Sequence, residues 1–126
     1  MAEKRIVTSY LLLLFFHVAH VFEEVWGHFW IMDRMGSEGW YLIINWLLFG
    51  LPLVLFYLIL TGRRIGYILG ILYAVFMVLN GLGHNVAVIV TGSYFGGFAG
   101  SISGIGLILV GIPTALFLRG GLPPRR

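Results

Sequence analysis

The sequence predicts an all-α protein, a polytopic bundle of four transmembrane helices that forms one integral membrane domain over residues 1–126. Hydrophobic residues make up 60% of the chain and charged residues only 10%, whereas soluble domains carry about 25% charged residues. The mean hydropathy is +0.98. The small net charge of +3 does not indicate nucleic-acid binding. Because cysteine is absent, disulfides and thiolate metal sites are excluded.

Four apolar segments are each long enough to cross a bilayer, which takes about 20 helical residues. They cover residues 6–32, 41–61, 65–90 and 98–118. The breaks between them read DRMGSEG, TGRR and TGSYFGG, and such runs of glycine and polar residues are typical of turns. The first segment begins like a signal peptide, but no small-residue cleavage site follows, so we expect a retained helix.

The basic residues are divided unevenly between the two sides of the predicted bundle, and Lys and Arg favour the cytoplasmic side. With the N-terminus inside, Arg34 is the only one of the eight basic residues on the outside. The inner ones are Lys4, Arg5, Arg63, Arg64, Arg119, Arg125 and Arg126. We therefore expect both termini in the cytoplasm, in the cytoplasmic membrane of a bacterium or an archaeon. Tyr41, Tyr94 and the tryptophans near the outer ends fit an interfacial aromatic belt.

The fourth predicted helix is rich in small residues. Gly96, Gly100 and Gly104 form two overlapping G-x-x-x-G steps, which let helices approach closely. These glycines either pack within the bundle or form the seam of a homo-oligomer, and the sequence leaves both open.

Ionisable side chains interrupt the first predicted helix along one face. At about 100° per residue, His17, His20, Glu24 and His28 fall within an arc of about 80°, and Glu23 lies on its shoulder. Such groups are costly inside a bilayer and usually mark a functional site.

Other helices carry polar residues at a matching height. His84 lies about as far along the third predicted helix as Glu24 along the first, at 1.5 Å rise per residue. Asn80 and Asn85 flank His84, and Asn45 lies near the outer end of the second helix. Because bundle sites are built from facing helices, we expect one cluster in the outer half of the membrane.

The pentad from His20 to Glu24 reads H-x-x-E-E within the first membrane helix. A later NGLGHN segment, the loop TGSYFGG and a small-residue-rich last helix accompany it. In these features the chain resembles the HXXEE family of small multi-helix membrane proteins. The resemblance implies the architecture and assigns no reaction.

Histidine and carboxylate are the ligands of zinc and non-haem iron. We therefore predict a divalent metal ion, zinc or iron, held by His20, Glu24 and His84, with His28 as a further candidate ligand. Glu23 and Glu24 are the candidate catalytic acid and base. The candidates for contacting and orienting the ligands are His17, Asn45, Asn80 and Asn85. An apolar cavity around such a site suits an enzyme that acts on a lipid-like small molecule, with membrane lipids as its surroundings.

Three other functions stay open. A metal-free acid–base isomerase needs the same buried His and Glu, and this inventory is similar to that of the emopamil-binding sterol isomerases. A proton or ion relay or transporter also uses intramembrane His and Glu, although the inner half of this chain is nearly all apolar. The third alternative is an accessory subunit of a larger membrane complex.

Overall fold

The computed structural model describes residues 2–124, of which 85% are helical and none is in a strand. The helices in chain order are α1 (Ala2–Trp26), α2 (Ile31–Arg34), α3 (Glu38–Leu60), α4 (Arg64–Thr91) and α5 (Ser101–Gly120). The four long ones, α1, α3, α4 and α5, are long and apolar enough to cross a membrane. The predicted all-α bundle with four spans is thereby confirmed.

The largest departure from the predicted boundaries is the end of α1. The apolar pattern predicted a helix to residue 32, but α1 ends at Trp26. His28 then adopts a left-handed backbone with φ of 52°. Two backbone hydrogen bonds, from Gly96 N to Gly27 O and from Trp30 N to Gly97 O, tie this turn to the α4–α5 connection. The other three spans begin and end within three residues of their predicted limits, while Arg125 and Arg126 lie outside the described residues.

Helix α5 lies at the centre of the packing, between α4 and α1, and α3 packs mainly on α4. The backbones of α1 and α4 are bridged by side chains. His17 reaches Tyr73, His20 reaches Asn80, and Glu24 reaches His84. The expected contact between the first and third spans therefore runs through the polar stripe of α1.

The glycines of α5 are used inside the bundle. A Cβ on Gly81 of α4 would lie 2.3 Å from the carbonyl oxygen of Gly104. The backbones of α4 and α5 can touch here because both residues are glycine. The ring of Phe16 from α1 occupies the space beside Gly106, and Val78 packs against Gly111. An oligomer that used these α5 glycines would have to compete with these internal contacts.

The half of the bundle near the chain termini has an apolar core. Leu13, Ala74, Met77 and Leu107 form one buried cluster between α1, α4 and α5. A second cluster surrounds Tyr10, whose hydroxyl donates to the Pro52 carbonyl at 3.0 Å. This core closes the end of the bundle opposite the turn at His28.

Single cysteines test the orientation expected from the charge distribution, because the native chain contains none. We expect Asp33→Cys, on the exposed surface of α2, to react with a membrane-impermeant maleimide in intact cells. Pro124→Cys should react only after lysis, because positive-inside topology places that end in the cytoplasm. Labelling of Pro124→Cys in intact cells would overturn the orientation.

The close contact of α4 and α5 is tested by a pair of glycine substitutions. Gly81→Ala forces a methyl group into the Gly104 backbone and should cost about 1–3 kcal/mol of unfolding free energy, as overpacking does. Gly83→Ala is the matched control, since its Cβ would meet no atom within 4 Å. Unfolding in mixed micelles measures both. Equal stability of the two variants would contradict the packing.

Candidate metal centre

The Glu24 carboxylate lies where three helices converge. Glu24 is only 5% exposed. Its Oε1 lies 3.5 Å from Nε2 of His20, one turn earlier on α1, and 3.2 Å from Nε2 of His84 on α4. Its Oε2 accepts a hydrogen bond from the Tyr41 hydroxyl of α3. A single carboxylate thus connects α1, α3 and α4.

His20, Glu24 and His84 form a compact buried group. His20 and Glu24 share a face of α1 because residues four apart are neighbours on a helix. The two imidazole rings meet edge to face, with their centroids 4.7 Å apart. One ligand atom from each of the three residues lies within 4.8 Å of the others. This group, called the triad below, could hold a metal ion.

Hydrogen bonds assign the tautomers of both histidines. His84 Nδ1 lies 3.3 Å from the Phe98 carbonyl oxygen, which can only accept, so Nδ1 carries the proton. His20 Nδ1 lies 3.0 Å from Ser103 Oγ, and that hydroxyl donates to the Gly100 carbonyl. Ser103 therefore accepts from His20 Nδ1. In the neutral form each ring then has its Nε2 lone pair on the side of Glu24, whereas a protonated ring would donate from Nε2 to that carboxylate.

Asn80 supports this assignment from the other side of the His20 ring. Its Nδ2 lies 3.0 Å from His20 Nε2 and donates to that lone pair. Asn80 is therefore the one predicted neighbour residue that contacts a member of the triad directly. The amide can rotate to present its oxygen instead, because both ends have the same shape.

The start of α5 approaches the histidines so closely that it requires glycine. Gly100 has φ of 113°, which L side chains rarely adopt. A Cβ there would lie 2.7 Å from His20 Cε1 and 2.8 Å from His84 Nδ1. Gly100 therefore covers both rings with backbone alone.

Glu23 is separated from the triad and caps α5 instead. Its carboxylate accepts from the backbone N–H groups of Ile102 at 2.9 Å and Ser103 at 2.6 Å. The N-cap residue, Gly100, supplies no side chain for this purpose. A carboxylate at a helix N-terminus is stabilised by the unpaired N–H groups and the helix dipole. Glu23, which was predicted to be a catalytic acid or base, therefore caps the N-terminus of α5.

Tyr94 completes the cap. Its hydroxyl donates to Glu23 Oε1 at 2.6 Å. Burial, and then the hydrogen bond to the Glu23 carboxylate, raises the pKa of Tyr94 above its ordinary value, so the phenol remains a donor. The expected interfacial aromatic is therefore also a fixed part of the α4–α5 connection.

Three other predicted site residues lie outside the triad. His28 is exposed, and its Nδ1 lies 3.0 Å from Glu38 Oε1, because α1 ends before it can stack above Glu24. His17 Nδ1 lies 2.9 Å from the Tyr73 hydroxyl. Asn85 donates from Nδ2 to the carbonyl oxygens of Gly81 and Ser101, which fastens α4 to α5.

The surroundings of the triad also include Asn45 and several residues that the sequence did not indicate. Asn45 Nδ2 donates to the Tyr41 carbonyl at 2.9 Å, one turn from the hydroxyl that binds Glu24. Tyr41 was not predicted as a site residue. It lies one helical turn before Asn45, which was, and this spacing could have identified it. Nothing in the sequence indicates that Ser103 and the Phe98 carbonyl meet the histidines, because the α4–α5 connection determines that contact.

No protein-family model, no curated protein and no solved structure matches this chain. The resemblance to the HXXEE family therefore stays a prediction.

The capping position of Glu23 is tested by Glu23→Gln, which replaces one acceptor oxygen with a donor facing backbone N–H groups. We expect a loss of about 1–3 kcal/mol of unfolding free energy, the cost of leaving buried donors unpaired. Tyr94→Phe removes only one donor and should cost less. Hydrogen exchange at Ile102 and Ser103 should accelerate in Glu23→Gln. Unchanged exchange at these two amides would refute the cap.

Proposed function

We propose that the triad binds one divalent metal ion, zinc or iron, and that this centre belongs to a membrane enzyme acting on a lipid-like substrate. One observation carries the proposal. One potential ligand atom from each of two imidazoles and one carboxylate lies within 4.8 Å of the others in a buried site. All three groups are acceptors when the histidines are neutral, so a cation between them turns a repulsive arrangement into an attractive one.

Charge balance also favours an ion. A buried carboxylate without a positive partner is very costly in an apolar medium. Among residues 2–124, the ion-pair partners of Glu24 are the two histidines, and no lysine or arginine pairs with it. A divalent ion would supply the missing positive charge. It would also use the Nε2 lone pair of His84, and that of His20 once the Asn80 amide no longer donates to it.

The surroundings have the features of a metal site. Metal-binding histidines usually donate their other N–H to a carbonyl or a similar acceptor. Here His84 has the Phe98 carbonyl, and His20 has Ser103 Oγ. Tyr41 holds the second oxygen of Glu24. Two histidines and one glutamate form a ligand set of catalytic zinc sites, which leave a fourth position for water or substrate.

The roles of the residues follow from these contacts. A bound ion would polarise a substrate oxygen or activate a water molecule. Tyr41 and Ser103 would orient Glu24 and His20. Asn80 lies beside His20 Nε2, so its amide would face the open position of the centre.

Metal-free acid–base catalysis is the second candidate, and a specific contact favours it. The Tyr41 hydroxyl donates to the Glu24 carboxylate, and a protonated imidazole of His20 or His84 would donate to the same carboxylate from Nε2, which makes a continuous hydrogen-bonding network. Such a network can transfer a proton to an apolar substrate. A transmembrane relay finds less support, since the residues around the buried cluster of Leu13, Met77 and Leu107 include Tyr73 but no acidic or basic side chain.

Elemental analysis of the purified protein tests the metal centre. We expect about one zinc or iron ion per wild-type chain, as in a mononuclear site. His84→Ala and Glu24→Gln should lose most of it, and Ser103→Ala should bind about 10–100-fold more weakly, as expected for a residue that orients a ligand. His28→Ala is the control and should keep the ion, because His28 is exposed and pairs with Glu38.

Two outcomes would count against the metal centre. Full metal content in His84→Ala would show that the ion does not bind between α1 and α4. Wild-type protein that stays metal-free after incubation with zinc and with ferrous iron would leave acid–base catalysis as the supported function.

A further inference from the structure

A groove separates α1 from α3 beside the triad. Its volume is about 570 Å³, within the range of about 300–1,000 Å³ that small-molecule sites occupy. The side chains that matter for its chemistry are His17, Val18, Val21, Asn45, Trp46 and Phe49. All but two of these six are apolar.

The groove opens sideways, toward the surroundings of the bundle. Val18 is 38% exposed and Trp46 is 76% exposed, although both are apolar. Both helices have the length and composition of membrane spans. The medium at this opening is therefore the hydrocarbon of the bilayer, and the molecules that reach it from there are lipids.

The groove has two polar side chains, His17, whose ring lies beside Phe49, and Asn45, one turn along α3 from Phe49. The Nδ1 atom of His17 is bound to Tyr73. Among residues 2–124, the other ring nitrogen has no hydrogen-bond partner. The ring is thus fixed in place and retains a free polar atom in an otherwise apolar groove.

Each of these two polar side chains lies one helical turn from a residue of the triad or of its surroundings. His17 is three residues, about one turn, from His20 on α1. Asn45 is one turn from Tyr41 on α3 and donates to its carbonyl, while the Tyr41 hydroxyl contacts Glu24. A chain lying in the groove would therefore have one end within a helical turn or so of the proposed metal centre.

We infer that this groove binds one acyl chain of a membrane lipid, which enters from the side and places a polar group at His17. The groove opens to the hydrocarbon layer, which consists of lipid acyl chains, and its lining is apolar apart from His17 and Asn45. The delivery of that group to a metal rests on the function proposed above. The binding of the chain does not.

Photo-crosslinking tests the occupant. The protein is reconstituted in phosphatidylcholine vesicles that contain a small fraction of phosphatidylcholine with a diazirine on one acyl chain. Labelled peptides are then mapped by mass spectrometry. We expect label concentrated on residues 17–22 of α1 and 42–49 of α3, above the level on the exposed α3 surface at Leu51 and Val54.

Two matched tryptophan substitutions test whether the acyl chain binds in the groove. Val21→Trp fills the groove and should reduce its label to the level of the exposed α3 surface. Val54→Trp makes the same change on a residue that is 56% exposed and does not line the groove, so labelling should be unchanged. Both variants should keep the wild-type helical circular-dichroism spectrum and elution volume in detergent, which shows that they fold whether or not the protein binds a metal.

Three results would overturn the inference. They are wild-type label spread evenly over all exposed apolar surfaces, undiminished groove label in Val21→Trp, and stronger groove labelling by a diazirine sterol than by the acyl probe. Groove labelling in wild-type protein that binds no metal would support the acyl-chain site while refuting the metal centre, so the two failures are distinguishable.

Discussion

The constraint on which this bundle depends is the burial of the Glu24 carboxylate. An ionised carboxylate is stable in an apolar interior only if it is paired and hydrogen-bonded. Here three helices supply the partners: Tyr41 from α3, His84 from α4 and His20 from α1 itself. Because the backbones of α1 and α4 pack mainly on α5, these side chains join α1 to α4 together with the His17–Tyr73 hydrogen bond and the apolar cluster around Leu13. The candidate site and part of the framework are therefore the same set of interactions.

The histidines in turn depend on the connection between α4 and α5. The Phe98 carbonyl and Ser103 Oγ take up the Nδ1 hydrogens, which turns both Nε2 atoms toward Glu24. Gly100 lets the backbone come close enough for this, since a Cβ there would overlap both rings. The tautomers of His20 and His84 therefore depend on an ordered α4–α5 connection. A loosened turn would free the rings to rotate, and the convergence of lone pairs would be lost.

Sequence reasoning reached the architecture and the triad because both follow from simple regularities. Hydropathy identifies the spans, and the four-residue spacing with equal height along two helices brings His20, Glu24 and His84 together. The same reasoning failed where the chain leaves the helix. His28 continues the polar stripe only if α1 continues, and the left-handed backbone at that residue ends it. Helical spacing also could not separate Glu23 from Glu24, because the backbone partners of Glu23 lie in the first turn of α5, about 80 residues away in the chain.

The H-x-x-E-E pentad therefore combines two separate physical tasks on adjacent turns of one helix. His20 and Glu24, four residues apart, face the interior and form one side of the triad. Glu23, about 100° around the helix, faces α5 and accepts its first free N–H groups. Ser103 links the two tasks, since its backbone N–H binds Glu23 while its hydroxyl binds His20. By holding the Ser103 backbone, Glu23 also positions the Ser103 hydroxyl that binds His20. A change at Glu23 should consequently reach the triad through Ser103, whereas a change at Glu24 acts on it directly, so adjacent acidic residues have different effects on one site.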